Sequence, residues 1–148
     1  MDRTMMAQKQ MTLAQTAQAN PHHRFKNLYS LMHWDYWIHC AADAVLARPG
    51  SSTAGVDGQT RFYFKDHHDE QIATLVDNLK RKTYQPQPVR RVHIPKGNGK
   101  TRPLGIATLC DRIVQEALRA MLDPIMSRTS NPIHMDFGKA VARWMRLR

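Results

Sequence analysis

Across residues 30–47 apolar side chains recur at helical spacing. Leu31, Trp34, Ile38, Ala41, Ala42, Val45 and Leu46 fall on one face, and Trp37 widens it. Pro49 and Gly50 then predict a stop. A second stripe of Ile72, Leu75, Val76 and Leu79 follows Asp66, which stands where a cap would open that helix. The period then drops to two. Val89, Arg91 and His93 alternate with Arg90, Val92 and Ile94, which predicts a strand. A tight turn over 95–99 and a returning strand over 102–106 complete a hairpin. Thr108 and Asp111 carry the spacing of a capping pair. The helix they open turns Ile113, Val114, Ala117, Leu118, Met121 and Leu122 inward and Arg112, Gln115 and Arg119 toward solvent. These elements predict an α+β fold, helices plus one β-hairpin, in a chain of 148 residues that allows one domain.

Two segments carry weaker patterns. Residues 1–20, rich in Gln, Met and Ala, lack a wide apolar stripe and read as a frayed helix or disordered arm. Residues 50–60 are rich in Gly, Ser and Thr; Gly55 and Gly58 around Asp57 permit positive φ and an Asx-type turn. That loop reads either as a plain turn or as a backbone nest near phosphate. Trp34, Tyr36 and Trp37 could stack on bases, but at helical spacing they read first as core.

Charge changes the picture. The net charge is +10 and the pI about 10.1, which favours a polyanionic partner. Between Lys80 and Arg102 lie eight Lys or Arg and no acid: Lys80, Arg81, Lys82, Arg90, Arg91, Lys96, Lys100 and Arg102. A solvated charged face is usually interrupted by acids, so the cluster reads as a phosphate surface even though any one Lys could serve solubility. Alternation puts Arg90 and Arg91 on opposite faces, so both cannot touch one ligand directly. Lys80–Lys82 also suit the negative end of their helix. No apolar run approaches the roughly 18 residues of a membrane span. The N-terminus lacks a signal pattern, and the expected location is the cytoplasm. Cys40 and Cys110 lack companions at metal-ligand spacing and read as reduced and buried.

Several runs, in this order and spacing, resemble group II intron-encoded reverse transcriptases and maturases. They are Gly55-Val56-Asp57-Gly58-Gln59-Thr60; Thr83-Tyr84-Gln85-Pro86-Gln87-Pro88-Val89-Arg90-Arg91-Val92; Ile94-Pro95-Lys96-Gly97-Asn98-Gly99-Lys100; Arg102-Pro103-Leu104-Gly105-Ile106; and Asp111-Arg112-Ile113-Val114-Gln115-Glu116-Ala117-Leu118. The resemblance covers residues 25–125 and implies an N-terminal extension plus the first part of the fingers, an incomplete fingers subdomain. Residues 1–24 would be a flexible arm and 126–148 a tail outside the family. The resemblance implies that Lys96 and Arg102 lie over the triphosphate and base of an incoming nucleotide. It further implies that Arg90, Arg91 and the 55–60 loop lie near template RNA or the primer–template duplex, with Tyr84 as scaffold. Lys100, Lys80, Arg81, Lys82 and Arg112 join them as candidate RNA contacts.

Polymerisation in that family uses carboxylates that hold two metal ions, on a first palm strand and a Tyr-Ala-Asp-Asp turn. Neither is present here, so the chain is expected to lack catalysis and to hold no cofactor, with Mg2+ implied only for the full-length family. After Leu-x-Pro-Ile the family continues with a stretch like YESDFQSHSYGFRKGRRTMDAV, and the tail from Met126 does not. A reading begun at the third base of the Ile125 codon can spell that continuation with permitted codons. Loss of one nucleotide near the codons for Ile125 and Met126 accounts for this, leaving the tail out of frame. The functional expectation is a truncated RNA-directed DNA polymerase that keeps RNA- and nucleotide-binding elements. The alternatives are a stand-alone RNA-binding helper of intron splicing and a decayed gene product without a role.

Overall fold

In this structure, a computed structural model that describes residues 3–20, 22–97 and 99–127, the helix opened by Thr108 organises the rest. The Thr108 hydroxyl accepts the Asp111 backbone N–H at 3.2 Å, so the capping pair forms as its spacing predicts. The elements are α1 (Thr4–Ala19), α2 (Tyr29–Met32), α3 (Asp35–Leu46), a 3-10 turn (Pro49–Ser52), α4 (Arg61–Asp66), α5 (His68–Arg81), β1 (Arg90–Pro95), β2 (Thr101–Ile106) and α6 (Leu109–Met126). The class is α+β, with one antiparallel two-stranded hairpin beside a helical core. α3, α1 and α2 pack on α6, and α5 packs on α3. Trp37, Ile38, Phe64, Ile72, Leu109, Ile113 and Val114 are fully buried there. The Trp37 indole N–H donates to the Ala117 carbonyl at 3.1 Å, so this ring belongs to the core.

Three local expectations change. The helix over 30–47 is two helices. Trp34 is extended (ψ 113°), and its carbonyl accepts the N–H groups of both Trp37 and Ile38. Asp35 in the first turn of α3 suits the positive helix end, so the restart is favoured there while Leu31 and Met32 still reach the core. Asp66 does not cap α5. It ends α4, which begins at Arg61 because Phe64 is drawn into the core, and the chain restarts after His67. The arm over 1–24 is largely helix. α1 buries Leu13 and Ala17, and the Gln10 side-chain amide donates to the Ala120 carbonyl at 2.8 Å. Its docking strip, Leu13 and Ala17 with Met6 packed beside them, is narrow, so no wide apolar stripe announces it. The tail expectation falls, from residue 128 on, outside the described residues.

The loop over 50–60 is set by close approach as well as by turn chemistry. Gly58 has φ +72°, and the Asp57 carboxylate accepts the Gln59 N–H at 3.2 Å, an Asx turn. Gly55 needs no unusual φ; a Cβ there would lie 2.7 Å from Thr108 Cα and 2.8 Å from Thr108 N. Gly55→Ala is expected to destabilise the chain by about 1–3 kcal/mol, because backbone must shift at the start of α6. Urea unfolding checks this, and a neutral result removes the close approach from the account.

Candidate nucleic-acid interface

The hairpin stands outside the core. All residues of its two strands are exposed except Ile94 and Ile106, which are half-buried. The register pairs Arg90 with Ile106, Val92 with Leu104 and Ile94 with Arg102. Strand alternation therefore puts Arg90 and Arg102 on the face that carries Val92 and Leu104, and Arg91 and His93 on the other. At the turn the Lys96 N–H donates to the Lys100 carbonyl at 2.6 Å, and the Gly99 N–H donates to the Lys96 carbonyl at 3.2 Å. Gly99 takes φ +76°, a conformation that favours glycine. Lys96 and Lys100 are thus held beside one another at the hairpin tip, both exposed.

What aims the hairpin is a buried carboxylate. Asp111 is 2% exposed and accepts the Tyr84 hydroxyl, the Gln87 N–H at 3.2 Å and the Thr108 hydroxyl at 2.7 Å. These bonds tie the irregular lead-in over 83–89 to the first turn of α6. Burial, then the hydrogen bond to Asp111, pushes the Tyr84 phenol far above its ordinary value, so it stays a donor. The Cys110 thiol beside it is pushed up to about 11 by burial and by the Asp111 charge, and is unsuited to nucleophilic work. Sequence spacing marks Asp111 only as a capping partner; its link to Tyr84 crosses 27 residues and leaves no local signal.

The remaining candidate cations divide by their partners. Lys80, Arg81 and Lys82 are exposed at the end of α5. Arg81 pairs with Asp77 at 2.9 Å, and Lys82 caps the helix at φ +61° with its ammonium 5.9 Å from the Tyr29 ring centroid. Arg112 is half-buried: it donates to the carbonyls of Ala107 (2.8 Å), Gly50 (2.8 Å) and Thr53 (2.7 Å), which clamps residues 50–53 onto α6. Its position supports the loop, and these three bonds engage its guanidinium.

Next to Arg112, a cavity of about 290 Å3 is lined by Arg48, Glu116 and Arg119. Glu116, 7% exposed, accepts from Arg48 at 2.8 Å and from Arg119. Burial alone would raise this carboxyl, but the hydrogen bonds from Arg119 and Arg48 and their charges hold it below the usual glutamate range. A lowered folded value means that the stabilisation is present above the unfolded pKa and lost as pH falls through the folded one. Stability is therefore expected to drop as pH falls below about 4.3, and Glu116→Gln to flatten that drop. Denaturant midpoints from pH 6 down to about 3 check this; equal slopes for both chains remove Glu116 from the acid response. Among the described residues no group of three or more His, Cys, Asp or Glu is placed to hold a metal ion, and no helix is long and apolar enough to cross a membrane.

No protein-family model matches the chain. The protein YkfC of Escherichia coli is 40% identical over 121 residues, 82% of this chain and 32% of that protein. The group II intron-encoded protein LtrA of Lactococcus lactis is 36% identical over 114 residues, 76% of this chain and 18% of LtrA. A COX1/OXI3 intron 1 protein of Saccharomyces cerevisiae is 30% identical over 118 residues, 76% of this chain and 13% of that protein. The chain thus spans under a third of the length of these curated relatives. Over the matched residues the chain is homologous to group II intron-encoded proteins.

Proposed function

We propose that this chain is the RNA- and nucleotide-handling part of a reverse transcriptase of the group II intron type, without polymerase chemistry of its own. The observation that carries the reading is the exposed hairpin. In the sequence no acid lies among its cations Arg90, Arg91, Lys96, Lys100 and Arg102, and Asp111 ties their frame to the core. Lys96 and Arg102 meet the nucleotide, and Arg90, Arg91, Lys100 and the end of α5 meet RNA phosphates. Arg112 serves by holding the 50–53 loop in place. The tail after Met126 is out of frame, which the gene decides: codons that forbid the shifted reading refute it.

Affinity for structured RNA is expected to fall steeply between low and physiological salt. Lys96→Glu with Arg102→Glu is expected to weaken binding and to shallow the salt slope by about one for each phosphate no longer neutralised. Filter binding across a salt series measures both. Negligible binding by the natural chain at low salt defeats the RNA reading, and primer extension by the chain alone defeats the statement that it lacks catalysis.

A further inference from the structure

α4 contains three successive aromatics, and the fold uses only one. Phe64 is fully buried and anchors the helix, whereas Phe62 is 63% and Tyr63 44% exposed. With about 100° between successive helical residues, neither neighbour can share the inward direction of Phe64. The two outer rings are already engaged by cationic or titratable groups. The Arg61 guanidinium lies 5.0 Å from the centroid of the Phe62 ring. Tyr63 and His67 are stacked, with centroids 4.5 Å apart and planes 25° apart. Lys65 is exposed on the same short helix. Flat π-faces interleaved with cations are what an unpaired base and its phosphate require: the ring stacks, and the cation neutralises charge. α4 also ends on Asp66, so its two cations Arg61 and Lys65 less this one acid leave it a formal charge of +1.

We infer that α4 is a stacking platform for unpaired bases, with Phe62 and Tyr63 as the rings and Arg61 and Lys65 as their phosphate partners. It rests on the proposal that the chain handles RNA, and it adds a class of ligand, single-stranded RNA, at residues that the hairpin cluster does not include. α4 is anchored by the fully buried Phe64, so the platform is held against the helical core and not on the hairpin.

The test uses the full chain with fluorescein-labelled oligoadenylate of about 15 nucleotides and an RNA duplex. Phe62→Ala with Tyr63→Ala is expected to weaken oligoadenylate binding by about 5- to 150-fold for each base that loses its ring, with the salt slope and duplex affinity unchanged. Phe62→Leu with Tyr63→Leu is expected to be equally weak, because leucine keeps the apolar area and loses the π-face. Phe62→Tyr with Tyr63→Phe is expected to bind normally. Oligoadenylate binding by the leucine variant that equals the natural chain overturns the platform and marks α4 as an apolar docking surface. Salt-dependent RNA binding that none of these variants alters overturns the platform while leaving the proposed function intact. No RNA binding by the natural chain at low salt overturns both.

Discussion

Asp111→Ala is expected to lower the unfolding free energy by roughly 2–5 kcal/mol and to free the hairpin from the helical core. The carboxylate is 2% exposed, and three donors converge on it. Of them, the hydroxyl of Thr108 belongs to a buried residue and that of Tyr84 to a half-buried one, and each loses its acceptor. A buried donor left unsatisfied costs about 1–3 kcal/mol, and a lost acid at a helix start costs a few tenths more. Gln87 is exposed, so its N–H turns to solvent at little cost. Asp111→Asn is expected to fall between, because the amide keeps the shape but offers one acceptor oxygen where the carboxylate offers two. Urea unfolding measures the loss, and proteolysis within 83–89 reports the detachment. A change below about 1 kcal/mol with the segment still protected sinks the idea that this carboxylate aims the hairpin.

Trp37→Ala is expected to cost about 3–5 kcal/mol, a large share of the 5–15 kcal/mol that holds a typical domain together. The indole is fully buried between α3 and α6, the two helices that pack most extensively on one another. Removing it opens a void that rigid helices fill only in part. Trp37→Phe separates packing from hydrogen bonding: it keeps most of the volume and loses the 3.1 Å bond to the Ala117 carbonyl. Its expected cost is about 1–2 kcal/mol. Equal losses for the two variants would place the energy in the hydrogen bond, against the packing account.

The helical stripes and the hairpin were legible because each repeats one local rule. Ile72, Leu75 and Leu79 recur every three or four residues, and all three are buried. The Arg90–Ile94 alternation appears as a strand in the predicted place. The Thr108 cap was legible from its spacing to Asp111. What failed lacked such repetition. α1 docks through Leu13, Ala17 and one glutamine, too narrow a set to stand out. The break at His33 and Trp34 carries no proline or glycine to announce it. The site divides in the same way. The cation run between Lys80 and Arg102 was visible in composition, but composition could not say that Arg112 donates to three carbonyls.

By itself the order of residues determined the element types, the α+β class, the basic hairpin and the likeness of the matched residues to group II intron-encoded proteins. Only the tertiary structure decided which side chains those elements spend on one another. Asp111 reaches back to Tyr84, Arg112 clamps the 50–53 loop, and α4 turns Phe64 inward while leaving Phe62 and Tyr63 in solvent. Local periodicity and capping depend on neighbours a few residues apart and are written in the chain. Which donor meets which carboxylate across tens of residues depends on how whole helices pack, a property no short stretch of sequence contains.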